Sequence, residues 1–283
     1  MRLMYSFVLD GNARFLVQGR IFVRSLLAAG VSLEDIVAHV TPSSGAAGYE
    51  LARSLGVHSV SLIPGPDGKY TNKINQCFTL DDLDFDVLVA CDTDLAILHP
   101  LTDAASVRAV RAKRVDSERP PMAILDHLRA LMGVTAEPEI VAPSFAPTGR
   151  TYALNCNGGL VMTPKAMLPE LGHAWLEYAT RLLPLMHPMR QWRMHVDQVA
   201  WAFAMMDLQL PFDELPIEFN LPTGRAKQVP AGSIGEPMVL HHHNRLKRSG
   251  LLKGSGVPMI DQAIQQANSA LEPRGWWQRV SSR

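Results

Sequence analysis

The sequence has few cysteines, no excess of either charge, no long apolar run and no internal repeat, and each shortage excludes something. Only Cys77, Cys91 and Cys156 occur in 283 residues. They are far apart, odd in number and without Cys-x-x-Cys spacing, which argues against a disulfide framework and fits a reducing compartment. Two of them sit in apolar runs, where a small buried thiol is the expected state. The 27 basic side chains balance the 27 acidic ones. A protein relying on attraction to a phosphate backbone would carry a basic excess, so nucleic acid is not an expected partner. No run reaches the roughly 18 apolar residues that would span a bilayer. No basic leader or small-residue cleavage site precedes the first apolar run, and a cytoplasmic location is the expectation.

What is present is a balance of 47% hydrophobic and 19% charged residues, that of a packed globular protein. Short apolar runs at Leu3–Leu9, Ile36–Val40, Val57–Ile63 and Asp86–Cys91 read as strands. Between them, Phe15 to Ala29, a stretch through Leu51 and Leu55, and Thr71 to Leu80 read as helices. This alternation predicts an α/β protein with a mainly parallel sheet flanked by helices. Residues 112–121 read as a basic, proline-containing stretch and 133–150 as loop. A further apolar run starts at Gly158, helices are expected around 165–184 and 195–207, and a short run, Pro237–Leu240, leads into three histidines. Residues 258–271 carry a helical pattern, and Trp276-Trp277 read as a core anchor or an oligomer contact.

Four constellations carry chemistry. Asp92-Thr93-Asp94 closes the apolar Asp86–Cys91 run, so two carboxylates stand beyond the carboxyl end of a strand, where open parallel sheets bind ligands. Magnesium and manganese are held by one or two carboxylates together with substrate phosphate oxygens. The bland alternative is a pair of solvated turn aspartates. In His241-His242-His243, continued strand geometry would point His241 and His243 the same way, as candidates for a third ligand. Asn157-Gly158-Gly159 opens the third-quarter apolar run and suits close approach of a ligand to backbone, although it is also an ordinary turn. Asp197-Gln198 stands early in an apolar helix, where the acid can be a dipole-compensating cap.

Taken in order, these pieces resemble the GT-A-fold glycosyltransferases, and among them the family of glycogenin and bacterial lipopolysaccharide galactosyltransferases. The resemblance implies a GT-A, Rossmann-like mixed sheet and one catalytic domain over 1–283. Its parts would be a nucleotide-binding half at 1–98, a donor-sugar and acceptor half at 99–250, and a helical tail at 251–283. It also implies that Asp92, Asp94 and His241 bind Mn²⁺ or Mg²⁺, with His243 as the alternative third ligand. Asp10, Asn12 and Lys73 would contact the nucleotide donor, while Asn157, Gly159 and Asp197 would face the donor sugar. Gln198 would stand near the reacting carbon. The Gly-x-x-Lys-Pro-Trp usual after the metal histidine is replaced by His243-Asn244-Arg245-Leu246-Lys247, which leaves Lys247 as the candidate diphosphate ligand. The expected substrates are a nucleoside diphosphate sugar, with UDP favoured, and a hydroxyl acceptor of unknown identity. The competing readings are a sugar nucleotidyltransferase, for which Asp10-Gly11-Asn12-Ala13-Arg14 is a poor glycine-rich loop, and a non-catalytic binding module on the same fold.

Overall fold

The computed structural model describes residues 1–186, 191–229 and 234–271; Trp276-Trp277 lie outside them. Apolar and β-branched runs form β1 (Leu3–Leu9), β2 (Ile36–Val40), β3 (His58–Ser61) and β4 (Val87–Cys91). Shorter strands follow: β5 (Leu95–Ile97), β6 (Val110–Arg114), β7 (Ile140–Val141) and β8 (Thr151–Tyr152). The last four are β9 (Cys156–Pro164), β10 (Phe212–Glu214), β11 (Leu221–Pro222) and β12 (Val239–His241). The α-helices are α1 (Ala13–Ala28), α2 (Gly45–Leu55), α3 (Met122–Met132), α4 (Leu168–Met186), α5 (Val196–Leu208) and α6 (Pro258–Leu271).

A seven-stranded sheet in the order β10-β6-β9-β4-β1-β2-β3 forms the centre. Its pairs are parallel except where β9 runs antiparallel between β4 and β6. The sheet is therefore mixed and largely parallel, as the alternating pattern implied. The direction of β9 has a consequence for the site. Parallel strands deliver their last residues to one edge, and an antiparallel neighbour delivers its first residues to that same edge. Asp10 and Asp92, which follow β1 and β4, thus share an edge with Asn157-Gly158-Gly159 at the start of β9. Helix α5 is apolar all round because it is packed between α4 and the sheet.

Three expectations are corrected. Val110–Arg114 is a strand that runs into the stretch read only as basic and proline-containing over 112–121; it can be buried there because Lys113, only 1% exposed, has its charge met by Asp116. Met122–Met132 is a helix where no helix was expected, with Leu125, Leu128 and Met132 on its buried side. The segment expected as a helix over Thr71–Leu80 is a tighter 3₁₀ turn, Asn72–Phe78.

That turn is fixed to the sheet by a buried polar network. Ser6 Oγ donates to Gln76 Oε1 at 2.5 Å and lies 2.9 Å from His39 Nδ1, while His39 Nε2 is 2.6 Å from Thr79 Oγ1. With the Ser6 proton committed to Gln76, the neutral imidazole donates from Nδ1 and accepts at Nε2. Gln76 Nε2 in turn donates to the backbone carbonyl of Lys73 at 3.1 Å, so the network holds the segment that carries that lysine. Burial pushes the His39 imidazole down to about 3. The folded protein therefore keeps His39 neutral where the unfolded chain binds a proton, so stability is complete above about pH 6.5 and falls as pH drops toward 3. Urea unfolding at pH 6.5, 5.5 and 4.5 should show a slope for the native protein steeper than that of His39→Gln by about 1 kcal/mol over the first pH unit, approaching about 1.4 over the second. Equal slopes would mean that His39 is already neutral in the unfolded chain or charged in the folded one.

Candidate active site

The DxD turn joins two sheets. Strand β4 ends at Cys91, the chain turns through Asp92-Thr93-Asp94, and β5 starts a second, three-stranded sheet in the order β11-β12-β5. Strand β12 pairs antiparallel with β5 in a register that sets His241 opposite Leu95, and the His242 amide donates to the Asp94 carbonyl at 2.9 Å. His241 comes to Asp94 because of that pairing, across 147 positions of sequence. Its Nε2 lies 3.1 Å from Asp94 Oδ1, and its Nδ1 is 2.8 Å from Asn220 Oδ1. Asn220 fixes the ring's orientation from behind, as outer-shell partners of metal-binding histidines do. One oxygen or nitrogen from each of Asp92, Asp94 and His241 lies within 4.8 Å of the others.

The charges are mutually arranged. Burial alone would raise the Asp94 carboxyl and lower the His241 imidazole, but each outweighs this for its partner: Asp94 is held well below the usual carboxylate range and His241 above its ordinary value. Lys73 Nζ lies 2.7 Å from Asp92 Oδ1, 3.3 Å from Asp197 Oδ2 and 3.1 Å from the Gly158 carbonyl. Burial opposes the Lys73 charge, yet the two carboxylates keep the ammonium above its ordinary value. Asp197 is raised by burial against the pull of Lys73. Its carboxylate is therefore a buried partner of Lys73, and not merely a helix cap.

Two cavities meet at these groups. One, of about 450 Å³, reaches from Asp10, Arg14 and Phe15 to Lys73 and Asp197. The other, of about 600 Å³, is lined by Asp116, Asn157, His195 and His241 among others. Asp92, Asp94, Tyr70, Met194 and Gln198 line both.

Compared with solved structures, the chain matches galactosyltransferase LgtC in complex with donor and acceptor sugar analogues, at 10% identity and a TM-score of 0.60, over 97% of this chain and 99% of that one. The fold is that of the GT-A glycosyltransferases. Mouse xyloside xylosyltransferase 1 matches at 14% identity and a TM-score of 0.50, over 86% of this chain and 98% of that one. The bifunctional glycosyltransferase WbbM matches at 12% identity and a TM-score of 0.51, over the whole of this chain and 51% of that one. Neither protein-family models nor curated protein sequences give a match.

On this GT-A framework most of the residues singled out in the sequence converge. Asp10 lines the smaller cavity, and its Oδ1 accepts from the Gly11 amide at 2.8 Å and from Ser43 Oγ at 2.5 Å. Gly11 is required there, since a Cβ would lie 2.3 Å from the Ser43 carbonyl oxygen. Asn157 Oδ1 accepts from the Gly159 amide at 2.9 Å and from Asn220 Nδ2 at 3.3 Å, and its own amide, on the larger cavity's wall, has no partner among the described residues. The glycines after it make room for the site's own side chains: a Cβ on Gly159 would lie 2.8 Å from His241 Cε1.

Three candidates are placed differently. Asn12 caps α1, accepting from the Arg14 amide at 2.9 Å, and lines neither cavity. Lys247 is exposed on the turn beyond β12 and lines neither cavity. His243 does not continue the strand: its φ of 46° turns the chain away, and its ring stacks on His241 with centroids 3.6 Å apart. His242, between them, is buried with neither ring nitrogen bonded among the described residues, and burial pushes it down to about 4. Sequence reasoning missed Asn220, an isolated amide without a motif. It also missed Gln18, which is buried on α1 and ties the DxD turn to the histidine turn through Thr93 at 3.4 Å and Asn244 at 2.5 Å. Its place on the inner face of α1 is the only sequence signal it offers.

Among the described residues no helix is long and apolar enough to cross a membrane. All three cysteines are free and buried.

Proposed function

We propose that the protein transfers a sugar from a nucleoside diphosphate donor, UDP-sugar in the first instance, to an acceptor hydroxyl, with help from a divalent cation. The observation that carries this reading is the convergence of Asp92, Asp94 and His241 at the junction of two cavities, on a GT-A fold. Two carboxylates and one imidazole within 4.8 Å of one another are a donor set that suits Mn²⁺, or Mg²⁺ with its waters. The cation supplies Lewis-acid stabilisation of the departing diphosphate.

The chain's own residues do the rest. Asp10 and Phe15 bound the end of the smaller cavity that receives the nucleoside. Lys73 keeps positive charge beside Asp92, and so complements the negative charge that grows as the diphosphate departs. Asp197, held in place by Lys73, and the side-chain amide of Asn157 orient the donor sugar through its hydroxyls. Gln198 lines both cavities, where the donor's reacting carbon and the acceptor hydroxyl must meet, and acts chiefly by positioning. Three free, buried thiols fit a reducing, cytoplasmic setting.

Incubation with UDP-glucose, UDP-galactose, UDP-xylose and UDP-N-acetylglucosamine should release UDP from at least one donor in the presence of Mn²⁺, and EDTA should stop the release. Release from none of a full nucleotide-sugar panel would sink the reading.

A further inference from the structure

The larger cavity is lined by two guanidiniums that no carboxylate among the described residues engages, although three carboxylates share its wall. Asp92 is engaged by Lys73, and Asp94 by His241. Asp116 is paired with the buried Lys113. Glu118 adjoins Arg119 in sequence, but its Oε1 accepts from the Arg150 amide at 2.6 Å. Arg119 and Arg225 also line this cavity, from two separate segments, and neither makes an ion pair among the described residues. Arg119 is exposed and Arg225 half-buried on the 3₁₀ turn Thr223–Gln228. The smaller cavity has cations of its own for a diphosphate, in Arg14 and Lys69. A neutral acceptor would leave both guanidiniums of the larger cavity uncompensated, whereas a guanidinium fork matches a carboxylate or phosphate in two parallel hydrogen bonds.

Resting on the sugar-transfer reading above, we propose that the acceptor is an anionic hydroxyl compound, whose phosphate or carboxylate is held by Arg119 and Arg225. The acceptor hydroxyl then points to the junction at Gln198, and the anion to the two arginines. Both arginines set specificity and take no part in bond making.

The test is calorimetry on protein saturated with UDP and Mn²⁺, so that added anions cannot occupy the diphosphate position. The probes are glucose 6-phosphate and galactose 6-phosphate, glucuronate and galacturonate, and the neutral methyl glycosides. The proposal expects at least one charged sugar to bind tenfold or more tightly than its neutral counterpart, and the two charged series separate phosphate from carboxylate. Arg119→Gln and Arg225→Gln should each weaken that binding roughly tenfold without changing UDP affinity. Both residues lie at or near the surface, and thermal melting checks that the variants fold. Equal affinity for charged and neutral sugars, or variants that lose UDP affinity, would overturn the proposal alone. Failure of the unaltered protein to bind UDP would overturn the sugar-transfer reading, and this proposal with it.

Discussion

Asp94→Ala should lose metal-dependent turnover by more than a hundredfold while remaining folded. The magnitude follows from position. Loss of an outer-shell partner typically costs about 10–100-fold in metal affinity, and Asp94 belongs to the ligand set itself. The fold should survive because the partner left behind can shed its charge. Removing one member of a buried pair is severe, about 3–5 kcal/mol, when the other stays charged. His241 can instead become neutral, and at pH 8 it does so readily once Asp94 no longer holds its pKa up. The Asp94 carbonyl that accepts from the His242 amide is backbone and is kept in the variant. Rates of UDP release, with circular dichroism and melting at pH 8, check both halves. A variant that is inactive because it is unfolded would make the carboxylate structural.

Gly159→Ala should be the second most damaging single change. The added Cβ would lie 2.8 Å from His241 Cε1, 3.0 Å from Asn157 Oδ1 and 3.1 Å from His241 Nδ1, distances that real Cβ atoms scarcely show. The histidine cannot step aside: Asn220 and Asp94 hold its two nitrogens, and β12 is paired on both sides. Nor can the backbone, because the Gly159 carbonyl accepts from the Asp92 amide at 2.8 Å. Overpacking of this kind costs about 1–3 kcal/mol. Whichever group yields, the spacing of the three ligand atoms changes, so Mn²⁺-dependent UDP affinity should fall by tenfold or more. Gly158→Ala is the control. Its Cβ would approach the Lys73 ammonium at 3.2 Å, the far end of a flexible side chain, and a milder loss is expected. Equal behaviour of the two variants would argue against a fixed His241.

Much of this arrangement could be read from the residues. Leu3–Leu9 and Ile36–Val40 are strands with the bounds their apolar runs suggested, and Pro258–Leu271 is the helix its spacing suggested. Local pattern sufficed because β1 and β2 are buried on both faces and so read as continuous apolar runs, while α6 buries one face at helical spacing. Strand β6 was hidden because its basic residues find their partners outside the strand: Arg114 pairs with the distant Glu214, and Lys113 with Asp116 just past the strand's end. Helix α3 did carry a helical spacing of Leu125, Leu128 and Met132, but it lies between a basic, proline-containing stretch and one that read as loop. In the site, the DxD pair was legible from its place after an apolar strand. The role of Asn220 was not, since it arises from the pairing of β11 with β12, which no local pattern encodes. The positive φ at His243 likewise broke the strand alternation that had grouped it with His241.

The central claim is that Asp92, Asp94 and His241 hold a divalent cation against a nucleotide. Calorimetric titration of UDP into the native protein and an Asp92→Ala/Asp94→Ala variant, each with Mn²⁺ and with EDTA, tests it most directly. The account predicts UDP binding that needs Mn²⁺ and disappears in a variant that still melts cooperatively. UDP binding that is unchanged by EDTA, or that persists in the double variant, would contradict it.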